Sequence, residues 1–183
     1  MKKFFAFVTI ISSMLFSSTT QANIPKDASN FNDHHYKVYD MKMTWEEAEK
    51  FCENKGGHLV TITSYEENKF VTDLIVNGGK NCYWIGCKLN SLNKMTWISE
   101  ENMIYSNWDT NEPDNYQGKQ GYAFISGKQI GNRDMIGKWG DIQNDGESWD
   151  QYYFWGANNF GFVCEWESKN IKNFYKDTFS ANV

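Results

Sequence analysis

The sequence predicts an α+β fold, and three observations carry that prediction. Two apolar stripes at helical spacing lie before residue 80, each opened by a capping signal and each closed by a glycine pair. After residue 80 the pattern changes to short strand-like runs. Helices first and strands afterwards describe an α+β chain.

An opening strand is expected over residues 35–39. Thr44-Trp45-Glu46-Glu47 then forms a capping box, in which the threonine hydroxyl and the glutamate carboxylate each satisfy an amide left unpaired at a helix start. Trp45, Ala48, Phe51 and Cys52 make one apolar face before Gly56-Gly57 ends the helix. A short strand over residues 59–62 follows. Ser64-Tyr65-Glu66-Glu67 repeats the capping device, and Phe70, Val71, Leu74 and Ile75 fall at helical spacing until Gly78-Gly79 stops the run. Strands are then expected over residues 83–86, 95–99, 122–126, 138–142 and 160–165. Residues 168–183 mix lysines with Phe174, Tyr175 and Phe179, which fits a short docked helix or a frayed end. This tail is assigned no function.

The first 22 residues read as an export signal: Lys2 and Lys3, an apolar run over residues 4–16, and Thr20-Gln21-Ala22 as a small-residue cleavage site. That run is too short to span a bilayer comfortably. Cleavage after Ala22 leaves about 160 residues, the size of one domain, with no second long apolar stretch and hence no membrane span. The expected organisation is a signal over 1–22, a domain over 23–167 and a tail over 168–183, in a secreted or periplasmic protein. A formal net charge of -5 argues against a nucleic-acid partner, because binding by counterion release needs a basic face. Aromatic residues reach 17 % with eight Trp, more than a lean core requires.

Four cysteines in an exported chain invite a disulfide reading. Cys52 falls on the first helix and Cys164 on the last strand. Cys82 and Cys87 flank Tyr83-Trp84-Ile85-Gly86, which as an extended strand would hold their α carbons about 16 Å apart, beyond disulfide reach. They are expected to be unpaired, or bridged only after a local bend.

Residues 107–115 read Asn-Trp-Asp-Thr-Asn-Glu-Pro-Asp-Asn, residues 137–141 Gly-Lys-Trp-Gly-Asp, and residues 161–167 Gly-Phe-Val-Cys-Glu-Trp-Glu. Ahead of them stand Tyr36-Lys37-Val38-Tyr39, Trp45-Glu46-Glu47-Ala48 with Cys52, Gly57-His58-Leu59-Val60-Thr61-Ile62, and Tyr83-Trp84-Ile85-Gly86. In that order and at that spacing, these motifs resemble the C-type lectin-like domain over roughly residues 36–167. The resemblance implies two helices packed on short antiparallel sheets, with a long calcium-binding loop region and a disulfide between Cys52 and Cys164. Closing that loop would remove about 4 to 5 kcal/mol of unfolded-chain entropy on the loop model. The family's second bridge would fall at Tyr122 and Asn144, so the loop region here must be held by packing, calcium, or both.

The resemblance also supplies a site. Its calcium ligands map onto Glu112, Asp114, Gln120, Gly140 and Asp141. Calcium takes about six to eight oxygens and gains affinity from carboxylate charge. Glu112, Asp114 and Asp141 supply three carboxylates, and Gln120 supplies a carbonyl oxygen. Gly140 supplies no side-chain oxygen, so charge is kept while ligand count drops by one. Calcium binding is expected in the weak range of extracellular modules, about 10⁻⁴ to 10⁻³ M. The implied sugar contacts are Glu112, Asp114, Asn115 and Asp141, with Trp149 from the aromatic segment beyond Asp141. Amides that would donate to sugar hydroxyls are missing at Asp114 and Gly140, and Glu-Pro-Asp mixes the family's mannose-type and galactose-type triplets. The aromatics over residues 149–155 either stack on a sugar ring or close over the loop region in place of the missing bridge.

Other constellations carry less. His34-His35 reads as an exposed strand start rather than a metal pair, and His58 as structural. Glu46-Glu47 and Glu66-Glu67 belong to helix first turns, where the dipole favours them. No phosphate loop, Gly-Xaa-Ser-Xaa-Gly or His-Glu-Xaa-Xaa-His occurs, and Cys82 and Cys87 lack an evident base, so no enzyme is expected. The expected function is a calcium-dependent lectin for a glycan or glycoprotein. The alternative is a calcium-independent module on the same fold that binds or adheres to a host or cell-surface protein.

Overall fold

The computed structural model describes residues 22–129, 133–147 and 157–168. Residues 1–21 of the expected signal segment, Trp149 with its neighbouring aromatics, and the tail beyond Ser168 lie outside these residues. Among the described residues no helix is long and apolar enough to cross a membrane.

The two ends of the domain close on each other. Strand β2 (His34–Tyr39) pairs antiparallel with the last strand, β8 (Phe160–Glu167), in a register running from His34 opposite Glu167 to Tyr39 opposite Phe162. A strand not expected from the sequence, β1 (Ser29–Phe31), forms a hairpin with β2, and Asn32 at the turn takes a φ of 41°. Asparagine tolerates that left-handed backbone, which the hairpin twist demands. The His34-His35 pair does start a strand, but His34 is no bystander: its Nδ1 lies 2.6 Å from Oε1 of the buried Glu165. Glu165 and its neighbours raise His34 above the ordinary histidine pKa.

Helix α1 (Trp45–Asn54) starts with both halves of the expected capping box, Glu47 N to Thr44 Oγ1 and Thr44 N to Glu47 Oε2. It buries Trp45, Ala48 and Cys52, and Cys52 is disulfide-bonded to Cys164 with α carbons 5.6 Å apart. Helix α2 (Tyr65–Ile75) starts after Ser64 as expected but keeps only half of the expected capping box. Ser64 accepts from Glu67 N, but the Glu67 carboxylate turns to Thr63 N and Oγ1 and to the hydroxyl of Tyr36. Its burial beneath β2 draws it away from the cap. Between the helices the expected strand shortens to β3 (His58–Leu59), because Thr61 N donates to Glu165 Oε2 instead of to a neighbouring strand.

The remaining strands are β4 (Cys82–Leu89), β5 (Met95–Trp97), β6 (Tyr122–Ser126) and β7 (Trp139–Ile142). All join one sheet of order β1-β2-β8-β4-β6-β7, with β3 on β8 and β5 on β4. The expected short antiparallel sheets are thus merged by a parallel pair, β4 with β8. Residues alternate across β4, so Cys82 and Cys87 face different apolar clusters. Both are buried, free, and raised in pKa by that burial. Cys82 sits with Trp45, Trp84, Phe160 and Phe162; Cys87 sits with Ile85, Trp97, Val71 and Trp139.

Candidate cation and ligand site

The site is built outward from Trp139, which is fully buried at the start of β7. Its indole Nε1 donates to Asn68 Oδ1 of α2 at 2.7 Å, and Trp97, Tyr105 and Trp108 stand edge-on to its ring. The incoming loop is stitched to the same residue. Trp139 N donates to Asn107 O at 3.0 Å, and Asp109 N donates to Trp139 O at 2.8 Å. Asn107 Nδ2 and Asn68 Nδ2 both donate to Gly137 O. Two residues after Trp139, on the same face of the strand, comes Asp141.

Asp141 is 4 % exposed and joins β7 to the proline loop. Its Oδ1 accepts from Asp114 N and its Oδ2 from Asn115 N, each at 3.1 Å. In return, Asp141 N donates to Glu112 Oε2 at 3.2 Å. The Glu112–Pro113 peptide is cis. One ligand oxygen from each of Glu112, Asp114 and Asp141 lies within 4.8 Å of the others. Burial pushes the Glu112 carboxyl to about 8, helped by the carboxylates of Asp141 and Asp114. Three acids this close repel one another, and an oxygen-seeking dication would relieve that repulsion.

The other expected site residues fall as follows. Gln120 lines the same cavity, of about 750 Å³, and its Oε1 accepts from Tyr116 N at 3.2 Å. Tyr116 N also donates to Asp114 Oδ1 at 3.0 Å. Asn115 takes a φ of 45°, and its Oδ1 is buried without a hydrogen-bond partner among the described residues. Gly140 faces Phe124 across the β6-β7 ladder, where an added Cβ would stand 2.6 Å from Phe124 Cζ. The ligand side chain missing from this position is excluded by that ring. Trp149 lies outside the described residues. Arg133 lines the cavity and is ion-paired with Asp109, so Asp109 is committed elsewhere.

Sequence reasoning missed Tyr116. Its side chain is 52 % exposed at the cavity, between Asn115 and Gln117, both of which have positive φ. The available signal was an aromatic residue two positions after Asp114 in a run otherwise polar or glycine. Such a ring offers a rigid contact surface beside the carboxylates.

The lectin C-type domain family model matches residues 41–145, more than half of the chain. Snaclec 3 of Sistrurus catenatus edwardsii is 36 % identical over 99 residues, covering 50 % of this chain and 66 % of that protein. One chain of the snaclec coagulation factor IX/factor X-binding protein of Gloydius halys is 35 % identical over 99 residues, covering 50 % of this chain and 65 % of that relative. The match thus spans just under two thirds of the length of these relatives. Among solved structures, the mouse scavenger receptor C-type lectin carbohydrate-recognition domain superposes with a TM-score of 0.62 at 28 % identity, over 80 % of this chain and 98 % of that one. The family match and the fold agree, and the chain belongs to the C-type lectin domain family.

Proposed function

We propose that this protein is an exported, calcium-dependent carbohydrate-binding domain whose ion is held by Glu112, Asp114 and Asp141, with an oxygen from Gln120. The observation that carries the reading is the cluster of three carboxylates within 4.8 Å at the wall of an open cavity. The donor set is all oxygen, as a hard dication wants. When bound, calcium would supply open coordination positions for neighbouring sugar hydroxyls. Asp114 and Glu112 would accept hydrogen bonds from the hydroxyls, and the exposed Tyr116 ring would lie along the apolar face of the sugar. Asp114 and Gly140 bring no amide donors, so each unmatched hydroxyl oxygen would weaken the complex by about 1 kcal/mol. Calcium and sugar affinities at the weak end of the family follow from that composition. Export is supported by the Cys52–Cys164 bond, since disulfides persist in oxidising compartments.

The second reading is a calcium-independent protein-binding module, with a host or cell-surface protein as partner. It is favoured by the relative named for binding coagulation factors and by the ligand position closed at Gly140. Thermal unfolding with excess calcium and with chelator separates the two. Calcium at twenty times its Kd adds about 1.8 kcal/mol to the native state. For a domain of this size that raises Tm by about 4 to 7 °C. No shift at tens of millimolar calcium would sink the lectin reading and favour the protein-binding one.

A further inference from the structure

The first turn of α1 is capped partly by a residue 98 positions away. Trp45 N donates to Asn144 O at 2.9 Å, and Glu46 N donates to Asn144 Oδ1 at 3.0 Å. Asn144 Nδ2 returns a hydrogen bond to Glu46 Oε2 at 3.0 Å. The other carboxylate oxygen of Glu46, Oε1, accepts from the hydroxyl of Tyr122 at 3.1 Å, and the Tyr122 and Trp45 rings are 5.2 Å apart. A helix start leaves its first amides without partners. Thr44 and Glu47 satisfy their own, and Asn144 satisfies the two that remain.

Both latched residues adjoin the carboxylate site. Tyr122 follows Gln120 by two positions, and Asn144 follows Asp141 by three. Tyr122 is paired with Ile142 across the β6-β7 ladder, and Gly121 N donates to Ile142 O. One carboxylate on α1 therefore holds both chain segments that leave the site. We propose that Asn144, Glu46 and Tyr122 form a non-covalent latch that positions Asp141 against the proline loop, and so sets the affinity of the cation site for calcium. Asn144 is a positioning residue and touches no ligand.

The latch rests on the calcium reading for its functional consequence but can be tested without it. Amide hydrogen exchange is measured in chelator on the full-length protein and on the Asn144→Ala and Glu46→Ala variants. The amides of Asp114 and Asn115, which bond the Asp141 carboxylate, are expected to exchange at least tenfold faster in both variants. Amides of the distant β2-β8 ladder, such as Val38 and Val163, should keep wild-type rates. Unchanged protection at 114 and 115, or an equal loss across β2-β8, would overturn the latch. Calorimetric titration with calcium chloride then reads the consequence, an expected rise in Kd of about tenfold with the stoichiometry unchanged. An unchanged Kd in a variant that has lost protection overturns the positioning role. A wild-type protein that does not titrate refutes the calcium reading instead, and the exchange result alone then decides the latch.

Discussion

The ring of Phe124 occupies the space that a side chain at Gly140 would need: a Cβ there would lie 2.6 Å from Cζ and 2.9 Å from Cε1. Phe124 is itself buried and packed edge-on against Phe160, with ring centroids 5.6 Å apart, so moving it disturbs the core. Gly140→Asn alone is therefore expected to destabilise the protein by about 1 to 3 kcal/mol, as overpacking does. Combined with Phe124→Leu, which lacks the clashing ring atoms, it should recover stability and strengthen calcium binding by adding an amide oxygen. Urea unfolding and calcium calorimetry on the single and double variants check both halves. Equal calcium affinity in the double variant and the wild type would show that the position does not reach the ion.

Glu112 is held high in pKa by burial and by the acids beside it. Glu112→Gln keeps an oxygen to accept from Asp141 N while removing a charge from the cluster. In chelator this variant should be as stable as the wild type or more so. Its calcium-dependent rise in Tm should disappear. Loss of stability in chelator together with a retained calcium shift would contradict this assignment.

Asn68 is 5 % exposed and commits both ends of its amide to the segment that carries Asp141. Asn68→Ala leaves the Trp139 indole N–H without its acceptor inside the core. A cost of about 2 to 4 kcal/mol is expected from two lost buried hydrogen bonds. Chemical denaturation monitored by tryptophan fluorescence measures it, and a cost below about 0.5 kcal/mol would mean that the aromatic packing around Trp139 suffices.

His34 lies against the buried Glu165 and has a raised pKa in the folded protein. A histidine so shifted contributes stability that is fully present below its unfolded value of about 6.5 and is lost as pH rises through the folded value. The wild type should therefore lose its advantage over His34→Gln between mildly acidic and alkaline pH. Urea midpoints for the two proteins at pH 5.5 and 8.5 test this, with the difference between them isolating His34 from other groups. A difference that grows with pH has the wrong sign for this pair.

Local features were legible in the chain because their causes are local. The Thr44 box and the glycine stop after α1 each depend on residues a few positions apart and appear in the structure where expected, whereas the strand expected over residues 83–86 lengthens to Cys82–Leu89. The three acids were legible through their resemblance to a known pattern, and the structure brings Glu112, Asp114 and Asp141 together. Glu67 shows where such reasoning stops. Its spacing from Ser64 is that of a capping box, but Tyr36, 31 residues away, and the amide of Thr63 claim its carboxylate once β2 buries it.

By itself the sequence determined the α+β class, the two helices, the family and the acids of the candidate site, because periodicity, capping and motif order are written in neighbouring residues. Only the tertiary structure decided that Gly140 is closed by Phe124, that Asn144 caps a helix 98 residues away, and that Tyr116 stands open at the cavity. These depend on which groups meet across the sheet. A hydrogen bond or steric clash is decided within a few tenths of an ångström, a precision that residue order alone does not encode.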